Sequence, residues 1–329
     1  MNNMVQHGAR IQLPTAGRPF TNADITPRMP WGITAIHAAQ LWPRTKGEGV
    51  RIGIVDTGVD FSHPDLKPSL HRGINLLNRY QLPIDDNGHG THIAGTLVAS
   101  RSSAGIRGVA PKAALFPIKA FDRDGAAYVS DIIQAIYWCI ANSMNIINMS
   151  FGMSAYSPAL HNAVKQAYAQ NIIIVASAGN QAKRNVIDYP ARFQQTVAVG
   201  ASNKGNRIAA FSNQGGLIDV YAPGEAINST WLYGQYNELS GTSMATAHVS
   251  GVIALLLARK PAMSASRIKE ILTASSVTMA QTNKKLPRRG RLDAARAWMF
   301  MGRKKKKSQR LLTMKSRRSR DGVKKSHSE

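Results

Sequence analysis

Three hydroxyl-bearing residues, Ser240, Thr242 and Ser243, stand just ahead of the apolar stripe in LSGTSMATAHVSGVIALLLARK (239–260). A helix N-terminus carries unpaired N–H groups and a partial positive charge. An oxygen nucleophile placed there lies beside donors for a developing oxyanion. Ser243, preceded by Gly241 and followed by the helical pattern, suits that role. A serine hydroxyl is a weak nucleophile, so it needs a base, and the base needs an orienting acid. His89 and His92 cluster in DDNGHGTHIAGTL, with His89 between two glycines. Asp56 closes the β-branched run VRIGIVD, and Asp60 and Asp65 follow it. The simplest set for acyl transfer is Asp56, His89 and Ser243. Other chemistry stays open: His89-x-x-His92 with Asp56 has the makings of a metal-dependent hydrolase, and Ser243 alone would serve as a helix cap. His63, His92 and His248 read as packing residues. Cys139, inside the apolar DIIQAIYWCIANS, reads as a small buried side chain.

Positioning these residues takes a regular scaffold. Apolar strand runs at 50–56, 114–121, 145–152, 172–180, 196–202 and 217–224 alternate with helical patterns at 128–143, 157–171 and 264–276, besides the helix of the opening segment. Strands separated by helices predict a three-layer α/β fold with a mostly parallel central sheet covered on both faces. Ligands of such sheets bind beyond the carboxyl ends of the strands, where Asp56 and Asn180 both stand.

Four segments carry a resemblance. GIVDTGVDFSHPDL, DDNGHGTHIAGT, IIIVASAGN and LSGTSMATAHVSG resemble, in that order, the signature segments of the subtilisin-like serine proteases, and the likeness runs from about Pro30 to about Met299. The order Asp, His, Ser is the family's own. The resemblance implies a subtilisin-like fold and a serine endopeptidase acting on protein or peptide substrates. Ser243 is then the nucleophile, His89 the base, Asp56 its orienting acid, and Asn180 an oxyanion donor beside the Ser243 backbone N–H. Ser150-Phe151-Gly152 and Gly125-Ala126-Ala127 resemble the two edge segments between which substrate is laid as an added strand. Asp188, just before Tyr189-Pro190, stands where the family commonly has a small uncharged residue on the wall of the S1 pocket, which implies a preference for Arg or Lys at P1. The shorter loop QAKRNVID would instead let Asp188 face solvent.

Departures from the family pattern are local. Ala247 replaces a usual proline inside the helix, a mild loss because alanine has the best helix propensity. No cofactor is implied for the chemistry. For a structural calcium, Asp65 resembles a ligand, but Ser102 stands where an Asn ligand is usual, in SRSSAGIRG (100–108), with Arg101 and Arg107 nearby. Calcium takes six to eight oxygens, and positive neighbours weaken the site.

The ends of the chain differ from its centre. Net charge is +24, and residues 302–329 hold twelve Lys/Arg against two acids, leaving +14 on the rest. Three regions follow: an extension at 1–28, a catalytic domain at 29–301, and a basic disordered tail at 302–329. The short extension resembles that of intracellular subtilisins, an inhibitory segment lying in the cleft. RIQLPTAGRPF (10–20) would occupy the cleft, and Arg18 and Arg28 would be cut points. MNNMVQHGARIQLP lacks an apolar signal region, which points to the cytoplasm, and no apolar run approaches the roughly 20 residues of a membrane helix. Two other functions compete: a catalytically silent binding protein of this fold, and a protein held to polyanions, nucleic acid or anionic membrane, by its basic tail.

Overall fold

A computed structural model describes residues 9–13, 29–100, 105–280 and 289–302. Ser102, Arg18, Arg28 and the basic tail from residue 303 lie outside the described residues. The strands are β1 (Arg10–Gln12), β2 (Arg51–Asp56), β3 (Ile74–Asn75), β4 (Ala114–Lys119), β5 (Ala126–Tyr128), β6 (Ile146–Met149), β7 (Ile173–Ser177), β8 (Thr196–Ser202), β9 (Val220–Pro223), β10 (Ile227–Thr230) and β11 (Tyr236–Leu239). The helices are α1 (Trp31–Ala35), α2 (His89–Val98), α3 (Val129–Ala141), α4 (Pro158–Ala169), α5 (Thr242–Arg259), α6 (Ala265–Ser275) and α7 (Ala294–Gly302).

Seven strands form one sheet in the order β3-β4-β2-β6-β7-β8-β9, and every pairing in it is parallel. Strands covered on both faces read as continuous apolar runs, and IIVAS of β7 and TVAVGAS of β8 are buried at every residue. Alternate residues enter two cores. Ile52, Ile54, Ile146, Ile173 and Val175 pack with α2 and α5, while Val55, Ile147, Ile174 and Ala176 pack with α3 and α4. The three layers expected from the alternating elements are therefore present. By length and composition α5 would suit a bilayer, but nearly all of it is buried, against α2 and β6 to β9. A helix apolar on all sides is a core helix here.

The order of strands reverses at β2. The chain runs to one side of it through β4 and to the other from β6 to β9. Crevices open at the carboxyl ends of strands at such a reversal. Asp56 ends β2 at that point.

Two antiparallel pairs stand apart from the main sheet. β10 and β11 lead directly into α5, and β1 pairs with β5. The sequence sets residues 1–28 outside the core, and here the structure differs. Ile11 and Leu13 are 2% and 4% exposed and join the core beside α3. Apolar residues two apart put both side chains on one face of a strand, which suffices to anchor a short segment.

Candidate active site

Asp56 arrives buried at the end of β2. Its Oδ1 accepts the Thr57 backbone N–H and the His89 ring, each at 2.8 Å. A carboxylate only accepts, so His89 Nδ1 carries the proton and Nε2 is left as the acceptor. His89 opens α2 directly after Gly88. Gly88 has φ +105, and a Cβ there would come within 2.4 Å of the Trp231 ring. Only glycine turns the chain this way in this space.

One further acid organises the loop around the histidine. Asp85 Oδ1 accepts from the Thr57 hydroxyl (2.8 Å), Asn87 N–H (3.0 Å) and Gly88 N–H (2.9 Å). Its Oδ2 accepts from Thr91 through the backbone (2.8 Å) and the hydroxyl (2.6 Å). Beside it the buried Lys119 ammonium donates to the Thr57 carbonyl and to Asp86, both at 2.6 Å. Burial disfavours a charged His89 ring, but the charge and hydrogen bond of Asp56, with Asp85 behind, outweigh it. The imidazole therefore titrates above its ordinary 6.5.

Ser243 is the second residue of α5, in the first turn, where backbone N–H groups lack helical partners. Its hydroxyl donates to the Ser150 carbonyl at 2.7 Å. His89 Nε2 is buried and has no hydrogen-bond partner among the described residues. The expected row of three is thus joined at Asp56–His89 and open at His89–Ser243. Asn180 follows β7, and its Oδ1 accepts both the backbone N–H (2.9 Å) and the hydroxyl (2.7 Å) of Thr242. Those two donors fix the amide orientation, so Asn180 Nδ2 faces away from Thr242 as a free donor. The Ser150 hydroxyl accepts from Asn148 Nδ2 (2.8 Å) and donates to the Ser243 carbonyl (3.1 Å), while Ser250 donates to Asn148 Oδ1 (2.9 Å). This buried chain ties the end of β6 to α5.

His92, His248 and His63 are held by backbone groups, which fits the packing role their sequence context indicates. His92 Nε2 donates to the Ile227 carbonyl (2.9 Å), and burial lowers its pKa to about 3. That bond turns His92 away from a shared ligand set with His89, so the metal-hydrolase arrangement is not formed. His248 bonds the Met244 carbonyl (2.8 Å), and burial lowers it to about 4. His63 lies between the Asp65 N–H and the Gln235 carbonyl. Burial pushes the Cys139 thiol up.

Of the substrate-edge residues, Gly125 and Ala127 flank or lie in β5, which is already paired. Ile11 sits opposite Ala127, and the Leu13 N–H donates to the Gly125 carbonyl at 2.8 Å. Phe151 turns its ring into the core against Phe121 (5.0 Å between centroids), so only its backbone reaches the cleft. Asp188 does not face solvent: it is 6% exposed. A Cβ on Gly152 would meet its Cβ at 2.6 Å, and one on Gly179 would meet its Oδ2 at 2.3 Å. The carboxyl lies between the segment holding Ser150–Gly152 and the one holding Gly179 and Asn180. Burial raises its pKa, partly opposed by the charge of Lys183.

Asp65 offers little to a cation. Its Oδ2 accepts Ile106 N–H (2.9 Å) and the Tyr236 hydroxyl (2.7 Å), leaving one buried oxygen, Oδ1, without a partner. Among the described residues no group of three or more His, Cys, Asp or Glu could hold a metal ion. Among these residues Asp65 Oδ1 is thus the one carboxylate oxygen left open there, and Ser102 lies outside the described residues.

Sequence reasoning misses Asp85, Thr57, Asn148, Ser250 and Lys119, and it names Thr242 only as a hydroxyl, not as the partner of Asn180. Adjacency to His89 would have flagged Asp85. Asn148 and Ser250 lie 102 residues apart and meet only in the fold.

Similarity to known proteins follows the same outline. Residues 47–306 match Peptidase_S8, the Subtilase family. Subtilisin DY of Bacillus licheniformis is 40% identical over 201 residues, covering 60% of this chain and 73% of that protein. The minor extracellular protease Epr of Bacillus subtilis is 43% identical over 186 residues, 56% of this chain but 29% of Epr. The thermostable alkaline protease of Halalkalibacterium halodurans is 44% identical over 186 residues, 56% of this chain and 51% of that protein. The match thus spans about half or less of two of these relatives. With the parallel sheet and the Asp56–His89 bond at its reversal point, the chain belongs to the subtilase family of serine-type peptidases.

Proposed function

We propose that this chain is a serine endopeptidase in which Ser243, His89 and Asp56 form the triad and Asn180 serves the oxyanion. One observation carries the reading: a buried imidazole oriented by Asp56 at 2.8 Å presents an unpartnered Nε2 from the start of α2, while Ser243 stands in the first turn of α5, the helix packed against α2. In the first step the Ser243 hydroxyl leaves the Ser150 carbonyl, gives its proton to His89 Nε2 and bonds to the substrate carbonyl carbon. The oxyanion is met by the Ser243 backbone N–H and Asn180 Nδ2. His89 then passes the proton to the leaving amine, and the C–N bond breaks. Water attacks the acyl ester with His89 again taking a proton, and Ser243 is restored. Treatment with a sulfonyl fluoride tests this: a single adduct on Ser243 with loss of casein hydrolysis is expected, absent in Ser243→Ala. Casein hydrolysis that survives in Ser243→Ala sinks the assignment.

Asp188 favours Arg or Lys at P1. Its buried carboxyl accepts no hydrogen bond from a described residue, and a substrate cation would relieve that. Peptides differing only at P1 test it, and a higher kcat/KM for Phe or Leu than for Arg rejects it. The β1 segment supports a self-inhibitory role for the N-terminal region, since it holds the edge that a substrate strand would take. Wild type and Ser243→Ala are expected to show different N-termini by mass spectrometry. Identical termini argue against self-removal.

A further inference from the structure

The turn leading into β5 is built on one carboxylate. Asp122 Oδ1 accepts the N–H groups of Asp124 (3.0 Å) and Ala126 (2.9 Å). The Asp122 N–H donates to the Ala126 carbonyl (2.9 Å), and the Gly125 N–H to the Asp122 carbonyl (3.0 Å). One oxygen of the side chain is thereby spent on folding the turn. The other, Oδ2, takes the Arg10 guanidinium at 3.2 Å. The same guanidinium lies over the Tyr128 ring, 5.4 Å from its centroid. A fixed anion and the electron-rich face of a ring meet one cation, and each attracts cations independently of the other. Along β1 the side chains alternate: Ile11 and Leu13 point into the core, Arg10 and Gln12 outward. Arg10 is thus placed by strand register opposite Tyr128, not by chance approach of a long side chain.

We infer that Asp122 and Tyr128 form a specificity subsite for a basic side chain, Arg or Lys, on peptide substrates laid along β5. The selected residue is the one opposite Tyr128, three positions upstream of the residue bonded to Gly125. This rests on the reading that the β5 edge receives substrate. The subsite is separate from Asp188, which lies between Gly152 and Gly179. Polypeptides with a cation well upstream of the cut are its substrate class, and Arg10 is the chain's own occupant.

The test uses the full chain and two peptides, Ala-Arg-Ile-Gln-Leu-Arg and Ala-Gln-Ile-Gln-Leu-Arg, each with a C-terminal fluorogenic amide. They share the cleaved bond, so Asp188 affects both equally. For wild type, kcat/KM is expected to be roughly three- to tenfold higher for the first peptide, the scale of one exposed ion pair plus a cation–π contact. In Asp122→Asn, which keeps an Oδ1 acceptor for the turn, the ratio falls toward one. Added 0.5 M salt lowers the wild-type ratio as well, which a purely steric preference would not do. If Asp122→Asn proves poorly folded, citrulline in place of the upstream Arg on wild type makes the same comparison. Equal rates on both peptides overturn the subsite while leaving the peptidase reading intact. If neither peptide nor casein is cut, the peptidase reading fails instead. The ratio is then read as relative affinity of the peptides for Ser243→Ala by fluorescence anisotropy, where equality again overturns the subsite.

Discussion

At the scale of single residues, the site is organised by which lone pairs are already taken. Asn180 spends its oxygen on Thr242 and keeps its N–H groups, so its chemistry is fixed before substrate arrives. Asn180→Ala is expected to lower kcat by about 10²–10³ with little change in KM, the cost found for the equivalent donor in a subtilisin. A matching rise in KM instead would mean that Asn180 holds the ground state. His89 gives a pH prediction. Its pKa is raised above 6.5, so below that value the ring is a cation and cannot take the Ser243 proton. The acid limb of kcat/KM should therefore lie above pH 6.5, and Asp56→Asn should move it to lower pH while reducing kcat steeply. The Asp56–His89 pair was legible in the sequence through the family-like segments that hold it. Asp85 was not, because an acid that binds five backbone and hydroxyl donors looks like any other loop acid until the loop is folded.

Elements carry the tolerance of the site. The bonds Ser250–Asn148–Ser150–Ser243 fix the first turn of α5 against the end of β6. Asn148→Leu leaves the Ser150 and Ser250 hydroxyls with a lost partner each, and buried unmet groups cost about 1–3 kcal/mol. Thermal unfolding of Asn148→Leu should fall by several degrees and activity should drop even at temperatures where the chain is folded. Unchanged kcat in the folded variant would show that α5 is held by packing alone. β1 is held more weakly. Burying Ile11 and Leu13 contributes roughly 1.5–3 kcal/mol each, and its few backbone bonds add about 1 kcal/mol apiece. Ordering five residues opposes this by about 1–2 kcal/mol each, so the balance is near zero. Ile11→Asp should free the cleft and raise the initial rate on small peptides. No rise in rate would mean β1 does not compete with substrate. The longer helices and the buried strands were readable from their apolar runs, with ends displaced by at most three residues, whereas α1 and α7 were not. β1 and the β10–β11 pair were not, because three or four residues carry too little periodicity to stand out.

For the molecule as a whole, the core on the α2 and α5 side of the parallel sheet also buries neutral histidines. His92 and His248 have pKa values of about 3 and about 4 in the folded chain, against 6.5 when exposed. The unfolded chain therefore binds more protons between those limits. Stability from these two groups is complete above pH 6.5 and is lost as pH falls through about 4 for His248 and toward about 3 for His92. Melting temperature should decline over that window and decline less in His248→Gln; a flat profile for wild type contradicts it. The alternation of apolar strands with helices made the layered architecture legible, while the pairing of β1 with β5 was expected only through the resemblance, because no local pattern encodes it. That pairing also sets how the proposed inhibition would behave. A strand joined to the body by the fifteen residues between Leu13 and Met29 keeps the same effective concentration however far the protein is diluted. Severing that link makes the strand a separate, weakly held peptide that drifts away into the bulk, so release would be irreversible and would need no partner to enforce it.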